Sequence, residues 1–191
     1  MSTQSTGLRL FWTEFRENKA ALLALVVVIL MILLALFASL ISPQNPYDLA
    51  NLSLMDSRRP PGFVGSGGYA HLLGTDPQGR DLLSAIFYGL RISIQIGLAA
   101  GFVSLTIGTA LGITAAYLGG RVEALIMRLI DLQLSFPAIL LALVIVALLG
   151  QGKAQLIGAL VAAQYAYFAR TAYGAAKAER GKDYIEAALA T

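Results

Sequence analysis

The chain has 191 residues, 57% of them hydrophobic and only 13% charged, with a mean hydropathy of +0.70. A soluble domain carries about 25% charged residues and cannot hide so much apolar surface in one core of this size, so the composition excludes an ordinary soluble protein and names the bilayer as solvent. A net charge of +3 is too small to argue for nucleic acid, and the absence of cysteine removes disulfides, thiolate metal sites and cysteine nucleophiles.

Residues 1–19 are polar and mixed in charge, with Leu8, Phe11, Trp12 and Phe15 at helical spacing. They predict an amphipathic segment at the membrane interface, Trp12 at headgroup depth. Residues 20–42 follow without a charge, long enough for a first span. A cleaved signal peptide is the alternative, but its apolar core is shorter, about 7–15 residues.

Residues 43–91 read as a long loop outside the bilayer. SPQNPYD stops the helix, and RRPPGFVGSGG is loop chemistry. GSGG lacks the lysine and the strand-to-helix setting of a phosphate loop. In HLLGTDPQGRDLLSAIFYGLRIS, Thr75 or Asp76 is a candidate helix cap with Pro77 in the first turn. Leu82, Leu83, Ile86, Phe87 and Leu90 then line one face of an interfacial helix.

Residues 92–118 form a second uncharged span. Gly97, Gly101, Ser104, Gly108, Gly112 and Ala116 recur at steps of three and four, a stripe that lets another helix approach closely. Residues 119–131 read as the next loop. Residues 132–149 are the third span, in which Pro137 is either a kink or a first-turn proline. Gly150 to Lys153 is a tight connection, making the third and fourth spans antiparallel neighbours. Residues 154–173 complete the fourth span. Gln164, Tyr165 and Tyr167 there face either a polar pathway or neighbouring helices.

Residues 174–191 are the long polar run at the end. Tyr184, Ile185, Ala188 and Leu189 make one narrow apolar face on a helix, suited to a groove on another protein; a solvated or frayed helix is the plain alternative. With the N-terminus in the cytoplasm, nine of the 14 lysines and arginines fall inside, among them Arg121, Arg128, Arg170 and Lys177. This places 43–91 outside and 174–191 inside.

No catalytic or metal set assembles. His71 is the only histidine, with no second ligand at metal-binding spacing and no nucleophile elbow. Asp131 beside Arg121 and Arg128 reads as a topology determinant or a salt bridge.

HLLGTDPQGRDLLSAIFYGLRISI resembles the signature of the dipeptide/oligopeptide family of ABC-importer permease subunits, in its C-type branch; the shared positions include Gly74, Thr75, Asp76, Gly79, Arg80 and Asp81. FWTEFRENKAALLALVVV, GGRVEALIMRLIDLQLSFPAILLALVIVALLG and DYIEAALAT resemble that family's opening segment, its next block and the start of its EAA loop. The resemblance runs from about Phe11 to the last residue.

It implies an all-α polytopic helix bundle of the type I importer permease fold, with about 92–191 as the core domain and four of six expected transmembrane helices present. Such a subunit sits in the bacterial inner membrane and forms half of the pathway for peptides, or for a related small solute such as a nickel chelate. Its partners are a second homologous permease, two cytoplasmic ATPase subunits and an extracytoplasmic solute-binding protein. It is not itself an enzyme and holds no cofactor. The EAA loop couples to the ATPase, a role carried to Tyr184, Ile185, Glu186, Ala187 and Ala188. In the family a glycine follows the triplet after three residues; here the sequence stops there, so it reads as a C-terminally truncated fragment. A membrane anchor or assembly protein, and a small intramembrane enzyme, are the readings from other classes.

Overall fold

The computed structural model describes residues 7–150 and 152–182. Its elements are helical except for one short hairpin. Two compact units divide at Ile94 and Gln95.

The first unit opens with α1 (Gly7–Glu17) and α2 (Lys19–Leu36), separated by one residue. That residue, Asn18, caps α2: its side chain accepts the Ala21 N–H at 3.1 Å, satisfying one of the donors a helix start leaves free. On α1, Phe15 stacks with both Phe11 and Trp12, and all but Phe15 stay exposed. The 18 residues of α2 reach about 27 Å, close to the hydrocarbon thickness of a bilayer. Phe37 interrupts it before the one-turn α3 (Ala38–Ile41).

Two 3-10 turns, Leu49–Asn51 and Leu54–Asp56, lead to the hairpin of β1 (Phe63–Val64) and β2 (Ala70–His71). The strands are antiparallel, with Phe63 opposite His71. Then α4 (Leu82–Leu118) runs without a break for 37 residues, about 55 Å. The interfacial helix and the second span expected separately are therefore one continuous helix. Neither Thr75 nor Asp76 caps it. Asp76 spends its carboxylate on the turn ahead, accepting from the N–H groups of Gln78 and Arg80, and the cap is Asp81.

In the second unit, residues 119–131, expected as a loop, form most of α5 (Gly120–Ser135). No proline or glycine interrupts them after Gly120, and Ile126, Ile130 and Leu134 fall on one face that packs on Ala166 and Ala169. Burial of that face overrides the charges that read as loop. The third span expected at 132–149 is broken. After Phe136 and Pro137 the chain turns by 88° into α6 (Ala138–Leu149), whose 12 residues reach only about 18 Å. Pro137 stands directly before α6, and its carbonyl accepts the Leu140 N–H at 3.0 Å, so it begins the helix and lies in the bend at once. Gly150 ends α6, and α7 (Lys153–Arg180) returns along it. The buried face of α7 is a stripe of alanines: Ala159, Ala163, Ala166 and Ala169.

Among the described residues two helices, α2 and α4, are long and apolar enough to cross a membrane, and a third crossing is reached if the bent pair α5–α6 counts as one span. The 28-residue α7 is long enough but does not meet the same standard of apolarity.

Candidate functional site

The Gly74–Asp81 block forms a knot that fastens the start of α4 to the loop before it. Gly74 and Gly79 both have left-handed backbone, with φ of +81° and +76°. A Cβ on Gly74 would lie 2.5 Å from the Arg59 carbonyl oxygen, and one on Gly79 would strike the Ser53 carbonyl. Both positions therefore need glycine on two counts, conformation and space. Between them, Thr75 donates its hydroxyl to the Asp56 carbonyl and accepts the Arg59 N–H at 2.8 Å. Asp76 holds the Arg80 guanidinium at 2.6 Å. Burial pushes the Asp76 carboxyl up, but hydrogen bonds from the Arg80 and Gln78 N–H groups and from the Arg80 side chain outweigh it, and the group sits below its ordinary value.

Asp81 is the centre of the knot and is 1% exposed. One carboxylate oxygen accepts both the N–H and the hydroxyl of Ser84 at 2.7 Å. The other meets His71 Nδ1 at 3.1 Å, while the Asp81 N–H donates to Gln44 Oε1 at 2.7 Å. His71 is as deeply buried, stacked on Phe63 and edge-on to Tyr69. Its far nitrogen points toward Gly65, where a Cβ would lie 2.5 Å from Nε2 and 3.0 Å from Asp56 Oδ2. Asp56 in turn accepts the Ser66 hydroxyl at 2.6 Å and the Ser66 N–H at 2.9 Å, and these bonds hold its carboxyl below the usual 3.8.

Sequence reasoning found the block but not the pairing of Asp81 with His71. The two are ten residues apart in a loop, and the hairpin that turns His71 back has strands of only two residues. The readable signals were the glycine-rich turn at 65–68 and Asp81 three residues before Ser84 at a helix start. The knot joins a histidine, three carboxylates and hydroxyls; Ser84 bonds to Asp81 and Ser66 to Asp56, while His71 meets Asp81. No group of three or more metal-ligating side chains occurs among the described residues.

The glycine stripe divides. At Gly108 an added Cβ would lie 2.6 Å from Phe168 Cβ and 2.9 Å from the Ala169 nitrogen, and closer still to the Tyr165 carbonyl. At Gly112 it would lie 2.8 Å from the Tyr173 nitrogen and 3.0 Å from Ala172 Cβ. These two glycines let α4 and α7 meet backbone to backbone. At Gly97 and Gly101 an added Cβ would meet nothing within 4 Å among the described residues. Ser104, on the same stripe, is buried with an unpartnered hydroxyl.

A second polar cluster joins α5 to α7. Asp131 pairs with Arg170 at 2.5 Å, rather than with Arg121 or Arg128. Glu123 accepts the Tyr173 hydroxyl and Lys177 Nζ. Gln133 donates to the Ala162 carbonyl at 2.9 Å, whereas Gln164 is exposed. Tyr184, Ile185, Glu186, Ala187 and Ala188 lie outside the described residues.

Comparison with known proteins agrees with the order of these parts. The family described as the N-terminal TM domain of oligopeptide transport permease C matches residues 6–61, and the binding-protein-dependent transport system inner membrane component family matches residues 108–191. The Gly74–Asp81 block lies between the two matches. The dipeptide transport system permease protein of Haemophilus influenzae is 34% identical over 180 residues, covering 94% of this chain and 60% of its own length. That of Escherichia coli K12 is 39% identical over 182 residues, covering 95% and 60%. The glutathione transport system permease protein of Pectobacterium atrosepticum is 36% identical over 184 residues, covering 96% and 58%. The chain thus spans roughly three-fifths of the length of these relatives.

Proposed function

Because residues 108–191 match the family of binding-protein-dependent transport inner-membrane components, we propose that this chain supplies part of the membrane pathway of an ATP-driven importer for di- or oligopeptides. A related small solute such as a nickel chelate is the other cargo this reading admits. The observation that carries it is the pair of family matches in chain order, backed by relatives aligned over more than nine-tenths of the chain.

In this reading the N-terminus is cytoplasmic, the spans are 20–42, 92–118, the bent 132–149 and 154–173, and the knot around Asp81 lies outside. A second permease subunit completes the pathway, two ATPase subunits drive it, and an extracytoplasmic solute-binding protein delivers the cargo. ATP hydrolysis belongs to the ATPase subunits. The narrow apolar face of Tyr184, Ile185 and Ala188, with Glu186 beside it, docks in an ATPase groove. Closure of the ATPases then moves that segment with α7 as a lever. The packing of Ile126, Ile130 and Leu134 on Ala166 and Ala169, with the Asp131–Arg170 pair and the ties from Glu123 to Tyr173 and Lys177, supports this by holding α5 against α7.

The test is Glu186→Lys in the complete subunit, expressed with its partner permease and ATPases. The expected result is loss of ATPase co-purification and of peptide uptake. Unaltered co-purification and uptake would remove the coupling role. Failure of the wild-type chain to associate with any ATPase would favour the anchor reading.

A further inference from the structure

Arg180 is the last residue of α7. One of its terminal guanidinium nitrogens, Nη1, donates to the Ala116 carbonyl at 2.7 Å and to the Tyr117 carbonyl at 2.9 Å. Both carbonyls belong to the final turn of α4, which ends at Leu118. Carbonyls in that turn have no partner within their own helix, and the partial negative charge there favours a cation. A pocket of about 600 Å³ lies beside this contact, lined by Ile113, Tyr117, Leu118 and Ala176 and by Arg180 itself. Ala115 and Ala116 in the last turn of α4 are buried, and further up, at Gly108 and Gly112, the backbones of α4 and α7 touch. Polar ties join the ends: Arg180 to α4, and Lys177 with Tyr173 to Glu123 at the start of α5.

We propose that Arg180 is a positioning residue for energy coupling: it carries displacement of the segment after Lys182 directly into the end of α4. The inference rests on the reading of Tyr184–Ala188 as the ATPase-contacting segment. Without Arg180, movement of that segment reaches α4 indirectly, through Glu123 on α5 and the contacts at Gly108 and Gly112. ATP is then hydrolysed without a matching motion of the pathway helix.

The experiment uses the complete importer in proteoliposomes, with ATP hydrolysis and uptake of a labelled dipeptide measured together. In Arg180→Gln, hydrolysis stays within about twofold of wild type while peptide moved per ATP falls tenfold or more. Arg180→Lys, which keeps a charged donor near the carbonyls, recovers much of that loss. Wild-type stoichiometry in Arg180→Gln overturns the proposal. A second measurement does not depend on the assembly of that variant. The chain has no cysteine, so Tyr117→Cys with Ala176→Cys can be joined by a short bifunctional maleimide. If the two ends move as one body, tethering leaves uptake unchanged; loss of uptake on tethering overturns the proposal. A wild-type assembly that hydrolyses ATP but moves no peptide removes the importer reading, and this inference with it.

Discussion

Gly108→Ala and Gly101→Ala make a matched pair that tests the contact between α4 and α7. Both glycines lie in α4, and alanine is favoured over glycine in a helix interior by about 1 kcal/mol. At Gly101 that gain stands alone, because an added Cβ meets nothing within 4 Å. At Gly108 the same Cβ lies 2.6 Å from Phe168 Cβ and 2.9 Å from the Ala169 nitrogen, where ordinary contact begins near 3.4 Å. Two of its three nearest neighbours are backbone atoms of α7, which cannot rotate away as a flexible side chain would. The helices must part by roughly half an ångström to one ångström, and overpacking of this kind costs about 1–3 kcal/mol. Taking the upper end for backbone contacts, Gly108→Ala is destabilising by about 2 kcal/mol after the helix gain is subtracted. For a chain of this size that lowers the unfolding midpoint by roughly 4–8 °C. The assay is thermal unfolding of the purified variants in one detergent, followed by loss of the monodisperse peak on size exclusion. Gly101→Ala should be equal to or slightly above wild type. Equal midpoints for the two variants, or a lower one for Gly101→Ala, would refute the division of the stripe.

Asp81→Ala removes the cap of α4 and leaves His71 buried without its carboxylate. Cap loss of about 1 kcal/mol and an unsatisfied buried group of about 1–3 kcal/mol predict faster hydrogen exchange across 44–81 than in α2. Gly79→Ala meets both the positive φ and the Ser53 carbonyl, and proteolysis at Arg58 or Arg59 should rise, as it should not for Gly62→Ala, where only φ is at stake. The Asp56 carboxyl is depressed by Ser66, so its ionised form is the one favoured by the fold. That contribution is complete above the unfolded value of 3.8 and disappears as pH falls through the lower folded value. Loop protection should therefore be flat from pH 7 to pH 5 and fall only below about 4, and Ser66→Ala should move the onset upward. Breaking the pair of Asp131 and Arg170, both half-exposed, should cost less than 1 kcal/mol in a double-mutant cycle.

What the sequence determined was whatever neighbouring residues decide among themselves. An uncharged run at 20–42 must leave water, whatever it packs against, and all of α2 after its first residue, Lys19, lies inside it. The spacing of small residues marks one stripe of α4, since helical periodicity alone sets which side chains share a face. Tertiary structure decided what each face meets. It brought Gly108 and Gly112 against α7, whereas an added Cβ at Gly97 or Gly101 meets nothing within 4 Å among the described residues, a distinction that identical residue types cannot carry. Residues 119–131 became helix because Ile126, Ile130 and Leu134 had Ala166 and Ala169 to cover, more than thirty residues away. His71 met Asp81 because a two-residue hairpin and two glycine turns folded one onto the other, and Asp131 chose Arg170 over the nearer Arg128. The reason is the range of the forces. Hydropathy, capping and periodicity act within a turn or two of helix, whereas burial and ion pairing reward whichever partner the completed fold brings within a few ångströms.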